Sequence, residues 1–269
     1  PQVTDDIVDI VTSTPSVSSL EAAVIAADLV AALQGAGPFT VFAPNDDAFD
    51  ALGTDIVQAL LDPANLDLLT SVLGYHVVPG VAARSSNLTN GQTVTTLQGQ
   101  QLVIGVSGST VTVNGATVVS ANIEATNGVI HLIDEVLLPE VDIVDVAVLN
   151  GFPTLVDLVR TAGLEATLRS ANGGAGFTVF APTEAAFAAL TSVPTGQALV
   201  DVLTYHVVAA TVPSSALSDG QVVTTVEGTT FTVNLGGSVT ITDGTGNVVN
   251  VVVTDVPASN GVVHVIAEV

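Results

Sequence analysis

One six-residue run occurs twice. Phe39-Thr40-Val41-Phe42-Ala43-Pro44 returns 138 residues later as Phe177-Thr178-Val179-Phe180-Ala181-Pro182. Tyr75-His76-Val77-Val78 returns at offset 130 as Tyr205-His206-Val207-Val208. Asn127-Gly128-Val129-Ile130-His131 returns at offset 133 as Asn260-Gly261-Val262-Val263-His264. Landmarks in the same order at nearly constant spacing mean two copies of one domain, since solenoid repeats are far shorter. A length of 269 residues gives each copy enough chain to bury its own core. A duplicated domain with no obvious reactive cluster argues for binding or structure before catalysis.

Charge excludes whole classes of partner. Asp and Glu number 26 against 3 Lys and Arg, a net charge of −23. The cations are Arg84, Arg160 and Arg169, and Lys is absent. Such a chain repels phosphate backbones, so nucleic acid is not an expected partner, and anionic membrane surfaces are disfavoured. Charged residues are only 11% and hydrophobic residues 48%, so this is a folding chain rather than a charge-driven disordered one. Solubility through mutual repulsion is the favoured reading of the acidity. A saline habitat and resistance to proteolysis and oxidation are both compatible with it.

Cys and Met are both absent, which removes disulfide and thiolate chemistry. Without an initiator Met the chain reads as processed or excerpted. No segment reads as a signal peptide or a transmembrane span. The expectation is an extracellular or cell-surface protein whose signal sequence has been removed.

Within each copy helices precede strands, which predicts an α+β domain. Thr4 to Leu33 reads as helix, broken at Pro15, with Ser18 or Ser19 capping the second piece. Its counterpart is Asp142 to Leu168, where Pro153 and Thr154 open the second helix. Thr40-Val41-Phe42 is a short strand, and Asn45 or Asp46 caps a helix carrying Phe49 and Leu52. Thr183 plays that part ahead of Phe187 and Leu190. A helix over Asn65 to Leu73 runs into Tyr75-His76. Thr110-Val111-Thr112-Val113, Asn114-Gly115 and Ala116-Thr117-Val118-Val119 spell a tight hairpin, because Asn-Gly supplies positive φ. The second copy has the longer loop Asp243-Gly244-Thr245-Gly246-Asn247. Domain 1 is read as residues 1–139 and domain 2 as 140–269, with almost no linker.

These landmarks resemble the fasciclin (FAS1) domain family. The Thr-Val-Phe-Ala-Pro run with its following Ala-Phe helix, the mid-domain Tyr-His, and Asn127 to Pro139 resemble its three signatures. The resemblance covers nearly the whole chain twice. It implies a twisted β-sandwich or wedge with helices packed at one side. It also implies extracellular adhesion, with matrix or cell-surface contacts. The Tyr-His region is implied as an interaction motif, which makes Tyr75, His76, Tyr205 and His206 the candidates. The third signature ends Val136-Leu137-Leu138-Pro139 in copy one, whereas copy two stops at Val269, the equivalent of Val136. The opening Pro1-Gln2-Val3 parallels Pro139-Glu140-Val141. The expectation is a piece of a longer array, or chain ends that meet in a neighbouring subunit.

All four His residues fall in the repeated motifs, and two per domain could suggest a metal pair. A zinc site needs three or four ligands, and no Cys or clustered acid accompanies them, so structural His131 and His264 are favoured. Tyr75 and Tyr205 are expected to bury their rings and bond their hydroxyls. Phe42, Pro44, Phe49, Phe180, Pro182 and Phe187 read as core and framework residues. Asn45-Asp46-Asp47 lacks the alternating ligands of a calcium loop. Asn172 to Gly176 precedes a strand and has no Lys, so it is a turn rather than a phosphate loop. Asn87-Leu88-Thr89 is a glycosylation sequon.

No catalytic residue, cofactor or metal is expected, and the chain is read as a non-enzyme. The favoured function is adhesion through protein–protein contacts, with cell-surface receptors or glycans as partners. A head-to-tail extracellular filament built by self-association is the second reading. A polysaccharide or lipid site in an apolar cleft between the domains is the third. If the chain is part of an array, the native protein is heavier than 26.9 kDa. An intact mass equal to that figure rules the array out.

Overall fold

The computed structural model describes residues 3–269, and the expectation placed on Pro1 and Gln2 lies outside them. The chain divides into two compact units between Pro139 and Glu140. Unit 1 starts with helices α1 (Ile7–Ser13), α2 (Ser18–Ala26) and α3 (Val30–Leu33). Strand β1 (Phe39–Pro44) follows, then helices α4 (Asp46–Leu52), α5 (Thr54–Leu61) and α6 (Leu66–Tyr75). The remaining strands are β2 (Val77–Pro79), β3 (Thr93–Thr95), β4 (Gln101–Ser107), β5 (Thr110–Val113), β6 (Ala116–Ala125) and β7 (Gly128–Ile133).

Unit 2 repeats this plan. Its helices are α7 (Ile143–Leu149), α8 (Pro153–Thr161), α9 (Glu165–Leu168), α10 (Glu184–Ala188) and α11 (Gln197–Tyr205). Its strands are β8 (Phe177–Pro182), β9 (Val207–Val208), β10 (Val222–Thr224), β11 (Thr230–Leu235), β12 (Val239–Thr242), β13 (Val248–Ala258) and β14 (Gly261–Ile266). The fall in motif offset from 138 to 130 has a visible cause. Unit 2 has an irregular stretch where unit 1 carries the eight-residue α5.

Four helix starts carry a side-chain cap from their own N-cap residue, and two more are held from outside the helix. Asp6 caps α1 in a capping box with Asp9, and Asp142 caps α7 by accepting from the Val144 and Asp145 N–H groups. Asn45 and Thr183 cap α4 and α10 as expected. Ser18 and Ser19 do not cap α2. The Asp46 carboxylate does so from outside, taking the Ser18 hydroxyl at 2.9 Å and the Ser19 N–H at 2.8 Å. Its partial burial acts to raise its pKa, but these bonds outweigh it and hold the carboxyl below its usual range. Glu184 repeats the device on Thr154, accepting its N–H at 3.1 Å and its hydroxyl at 2.6 Å. The helix read as continuous to Leu33 breaks after Ala26, where Asp28 turns to φ 54°.

Each unit contains one seven-stranded sheet, ordered β2-β1-β7-β6-β5-β4-β3 in unit 1 and β10-β11-β12-β13-β14-β8-β9 in unit 2. The pair at its heart is parallel: β1 lies along β7 from Phe39↔Gly128 to Pro44↔Ile133, and β8 along β14 from Phe177↔Gly261 to Pro182↔Ile266. The other pairings are antiparallel. The hairpin at Asn114-Gly115 has φ 49° and 101°, as its two-residue turn requires. Register shifts bend β6 and β13. Beyond β3 the chain returns to β2, where the Leu97 N–H bonds the Val77 carbonyl at 2.7 Å, so the twisted sheet nearly closes.

Two apolar layers result. Inside the curl of the first sheet lie Phe42, Tyr75, Leu102, Ile104, Val113 and Ile133. Between its helices and β1 lie Ile7, Val11, Leu20, Val24, Val41 and Leu73, around a cavity of only ≈ 30 Å³. This is an α+β fold: a twisted β-wedge with helices packed at one side.

The close approach of β1 and β7 leaves no room for a side chain at the start of β7. A Cβ on Gly128 would collide with the Phe39 carbonyl and stand 2.9 Å from Ile7 Cδ1. Gly261 meets the Phe177 carbonyl and Ile143 in the same way. Gly128→Ala and Gly261→Ala should each destabilise their own unit by about 1–3 kcal/mol or more, the usual cost of overpacking. Urea unfolding read by hydrogen exchange checks this; unchanged protection in the mutated unit contradicts it.

Candidate functional site

The three repeated motifs converge on the loop that follows β2. Thr40 Oγ1 donates to the Val81 carbonyl at 2.8 Å and accepts from the Ala83 N–H at 2.9 Å. His131 Nε2 meets the Ala83 carbonyl at 2.8 Å, while its Nδ1 accepts from the Asn122 N–H at 3.4 Å. That pattern sets one neutral tautomer, with the proton on Nε2. Unit 2 repeats it: Thr178 bonds Ala210 and Val212, and His264 Nε2 meets the Val212 carbonyl at 3.0 Å. His131 and His264 are fully buried and pack against Phe42 and Phe180, at ring-centroid distances of 5.6 Å and 5.3 Å. Pro44, Phe49, Pro182 and Phe187 are buried as well.

The Tyr-His pairs sit at the ends of α6 and α11. Tyr75 is 5% exposed and His76 2%, so neither faces solvent. The Tyr75 hydroxyl donates to the Gln101 carbonyl at 3.0 Å and accepts from Asn114 Nδ2 at 2.8 Å, tying the helix end to the hairpin tip. His76 Nδ1 bonds the Val72 carbonyl at 2.8 Å, and its Nε2 accepts the Leu137 N–H at 2.9 Å. Both nitrogens are committed. The ring is held neutral, its pKa pushed down to about 4 by burial against a smaller opposing effect of the Val72 bond.

Unit 2 differs here. Tyr205 and His206 are half-buried rather than buried. The Tyr205 hydroxyl makes two long bonds of 3.3 Å, to the Thr230 carbonyl and from the Gly244 N–H. Its pKa is raised, first by desolvation and then by Asp243 and Glu227. His206 Nδ1 keeps its bond to the Val202 carbonyl at 2.7 Å, and its pKa is lowered chiefly by burial. Among the described residues nothing bonds its Nε2. Both side chains line a cleft of ≈ 490 Å³ inside unit 2, together with Phe180, Phe231, Ile241 and Val269.

Sequence reasoning gave Asn127 and Asn260 no role beyond their place at the head of the third repeated motif. Asn127 Oδ1 accepts the Ile7 N–H at 3.0 Å, while Nδ2 donates to the Leu33 and Gly35 carbonyls at 2.8 Å and 3.0 Å. Asn260 makes the same three bonds to Ile143, Leu168 and Ser170. The signal available was an Asn kept ahead of the same strand in both copies, where the turn alone would accept Asp or Gly. Among the described residues no three His, Asp or Glu side chains group as metal ligands would, and no single helix is long and apolar enough to cross a membrane.

The lowered pKa of His76 has a direct consequence. A folded value near 4 lies below the unfolded value near 6.5, so the unfolded chain binds the proton more readily. The stability of unit 1 from this group is therefore complete above pH 6.5 and is lost as pH falls towards 4. The full effect is on the order of 3 kcal/mol, at about 1.36 kcal/mol per pKa unit. An imidazole titration by NMR should show His76 still neutral at pH 5 to 6; protonation there contradicts the assignment.

Comparison with known proteins follows the same division. The fasciclin domain matches residues 15–139 and again 150–269. Protein sll1483 of Synechocystis is 50% identical over 133 residues, covering 49% of this chain and 73% of the relative. The pig transforming growth factor-beta-induced protein ig-h3 is 31% identical over 246 residues, 88% of this chain and 35% of its own length. Human periostin is 29% identical over 249 residues, 88% of this chain and 29% of its own. This chain thus spans about a third of the length of those two animal relatives. Among solved structures, a FAS1 domain pair from the insect cell adhesion molecule fasciclin I is similar at 20% identity and a TM-score of 0.41. That match covers 86% of this chain and 88% of the other. With a fasciclin domain in each half, the chain belongs to the fasciclin family.

Proposed function

We propose that this is an extracellular or cell-surface adhesion and matrix module that works through protein–protein contacts. The observation that carries the reading is the fasciclin domain filling each half of the chain. The geometry supports it. The polar side chains that recur in both copies of the motifs, Thr40, Asn127 and His131 in unit 1, hold the backbone together and are buried. What the molecule offers outward is side-chain surface. In unit 2 this includes the exposed valines Val222 (63%), Val248 (57%) and Val252 (54%). Apolar side chains on a rigid strand can be desolvated by a partner at little cost in entropy. Mutual repulsion at a net charge of −23 works against self-association at low salt and weakens as salt screens it.

Tyr75 and His76 contribute to such a function as supports of the sheet rather than as contacts, given their burial. Tyr205 and His206, at the edge of a cleft, are the pair that a partner could touch. The filament reading rests on the same exposed valines, combined with high hydropathy at low charge.

Light scattering with negative-stain imaging, at low and high salt, separates the two. A monomer or small oligomer at both salt levels, with cells attaching to protein-coated surfaces, is the expected result. Regular open-ended polymers at high salt would replace it with the filament reading. Neither polymers nor attachment would contradict both.

A further inference from the structure

The acidity of unit 1 is confined to one part of its chain. Residues 3–76 carry ten Asp and one Glu with no Lys or Arg. Residues 85–123 carry no Asp, Glu, Lys, Arg or His at all. That uncharged stretch forms β3, β4, β5 and most of β6, and it leaves Leu97, Val103 and Val119 exposed. The net charge of −23 therefore gives these strands no repulsion of their own. Unit 2 is different over the matching stretch from Ser214, which contains Asp219, Glu227 and Asp243.

At the head of the uncharged stretch stands the one Asn-x-Ser/Thr sequence of the chain, Asn87-Leu88-Thr89. A single 3-10 turn, Ser85–Asn87, presents it. The Asn87 N–H bonds the Arg84 carbonyl at 2.8 Å, and the Leu88 N–H bonds the Ser85 carbonyl at 3.2 Å. Leu88 is buried in the cluster with Phe42, Tyr75 and Leu102, while Asn87 and Thr89 on either side of it are exposed. The other asparagine side chains of unit 1 all bond backbone. Asn45, Asn90, Asn114 and Asn122 accept from the N–H groups of Ala48, Val106, Val103 and Ser85. Asn65 donates to the Ala59 carbonyl, and Asn127 bonds both Ile7 and Leu33. Among the described residues Asn87 Nδ2 donates to nothing, and its Oδ1 receives only the exposed Ser86 hydroxyl at 3.4 Å. Unit 2 has the same turn, Ser214–Ala216, but there the sequence is Ala216-Leu217-Ser218 and offers no amide.

We propose that Asn87 is an N-glycosylation site and that its glycan covers the uncharged strands of unit 1. The co-reactant is an oligosaccharide carried on a lipid pyrophosphate. Asn87 Nδ2 bonds the anomeric carbon as the carbon–oxygen bond to the pyrophosphate breaks. The amide gives up one proton, and the lipid pyrophosphate leaves. Transfer takes place on the extended chain, and folding then keeps the sugar outside because Leu88 anchors the turn from beneath. A glycan is bulky and strongly hydrated, so it supplies here the solubility that carboxylates supply elsewhere. The two copies divide these devices between them: unit 2 has the carboxylates without the sequon, and unit 1 has the sequon without the carboxylates. The inference rests on the reading that the chain is extracellular or at the cell surface.

Peptide mass mapping of the protein recovered from its source tests this, before and after an amidase that releases N-glycans in heavy-oxygen water. The peptide containing Asn87 is expected to carry hexose and N-acetylhexosamine mass. The amidase should remove that mass and leave Asp with one heavy oxygen in place of Asn87. Expressed in the same source, Asn87→Gln and Thr89→Ala should each lose the whole increment, and Thr89→Ser should retain it. Both positions are exposed, so circular dichroism should be unchanged in all three variants. At high salt the deglycosylated protein should self-associate at a concentration where the glycosylated protein does not; identical light scattering overturns the covering role. Bare Asn87 on protein recovered from the medium or the cell surface overturns the site alone, as does an increment that survives in Asn87→Gln. Recovery from the cytoplasm only overturns the extracellular reading and the site with it. A glycan on Asn87 of a protein to which no cell attaches upholds the site and overturns the adhesive reading alone.

Discussion

The parallel pairing of β1 with β7 is the constraint on which each unit depends. It joins segments almost 90 residues apart, Phe39 to Gly128 and onward, and must be held without a local turn. Parallel neighbours are distant in sequence and their contacts close a long loop, so something must compensate the entropy. The repeated motifs serve that purpose. Asn127 at the head of β7 bonds the first turn of α1 and the end of α3, which locks the helical layer to the strand. Gly128 then lets the two backbones touch, and Thr40 and His131 together hold the loop after β2.

The polar residues of these motifs are therefore engaged with the backbone of their own unit. Each buried donor or acceptor answers to backbone groups that no ladder reaches, and an orphaned one would cost about 1–3 kcal/mol. His76 and His131 illustrate the economy of an imidazole. One ring donates to a carbonyl and accepts from an N–H, linking two segments while staying neutral. Burial lowers the pKa of both rings, which keeps the accepting nitrogen unprotonated at neutral pH.

Having the domain twice makes the chain its own control. The bonds of Asn127, Thr40 and His131 recur in Asn260, Thr178 and His264, so they belong to the fold. The differences gather around the second Tyr-His pair: a missing α5, a hairpin loop of five residues instead of two, and a rim of added carboxylates. Where the copies agree the residues serve the fold; where they part, the surfaces differ in shape and charge.

Much was legible in the linear chain. Duplication, the α+β order within each copy, the Asn-Gly hairpin and the apolar character of Phe42, Phe49, Phe180 and Phe187 follow from spacing and composition, because they depend on local propensity and periodicity. The trans-capping of α2 by Asp46, the clamp made by Asn127, and the burial that separates Tyr75-His76 from the cleft-lining Tyr205-His206 do not. Those depend on which residues meet after the sheet curls, and the same Tyr-His letters are buried or half-open according to what packs over them. Local pattern was enough to imply two similar acidic domains and the apolar residues at the heart of each. Which polar groups would hold the sheet and which would stay at the surface was settled in three dimensions, because hydrogen-bond satisfaction is set by neighbours in space rather than along the chain.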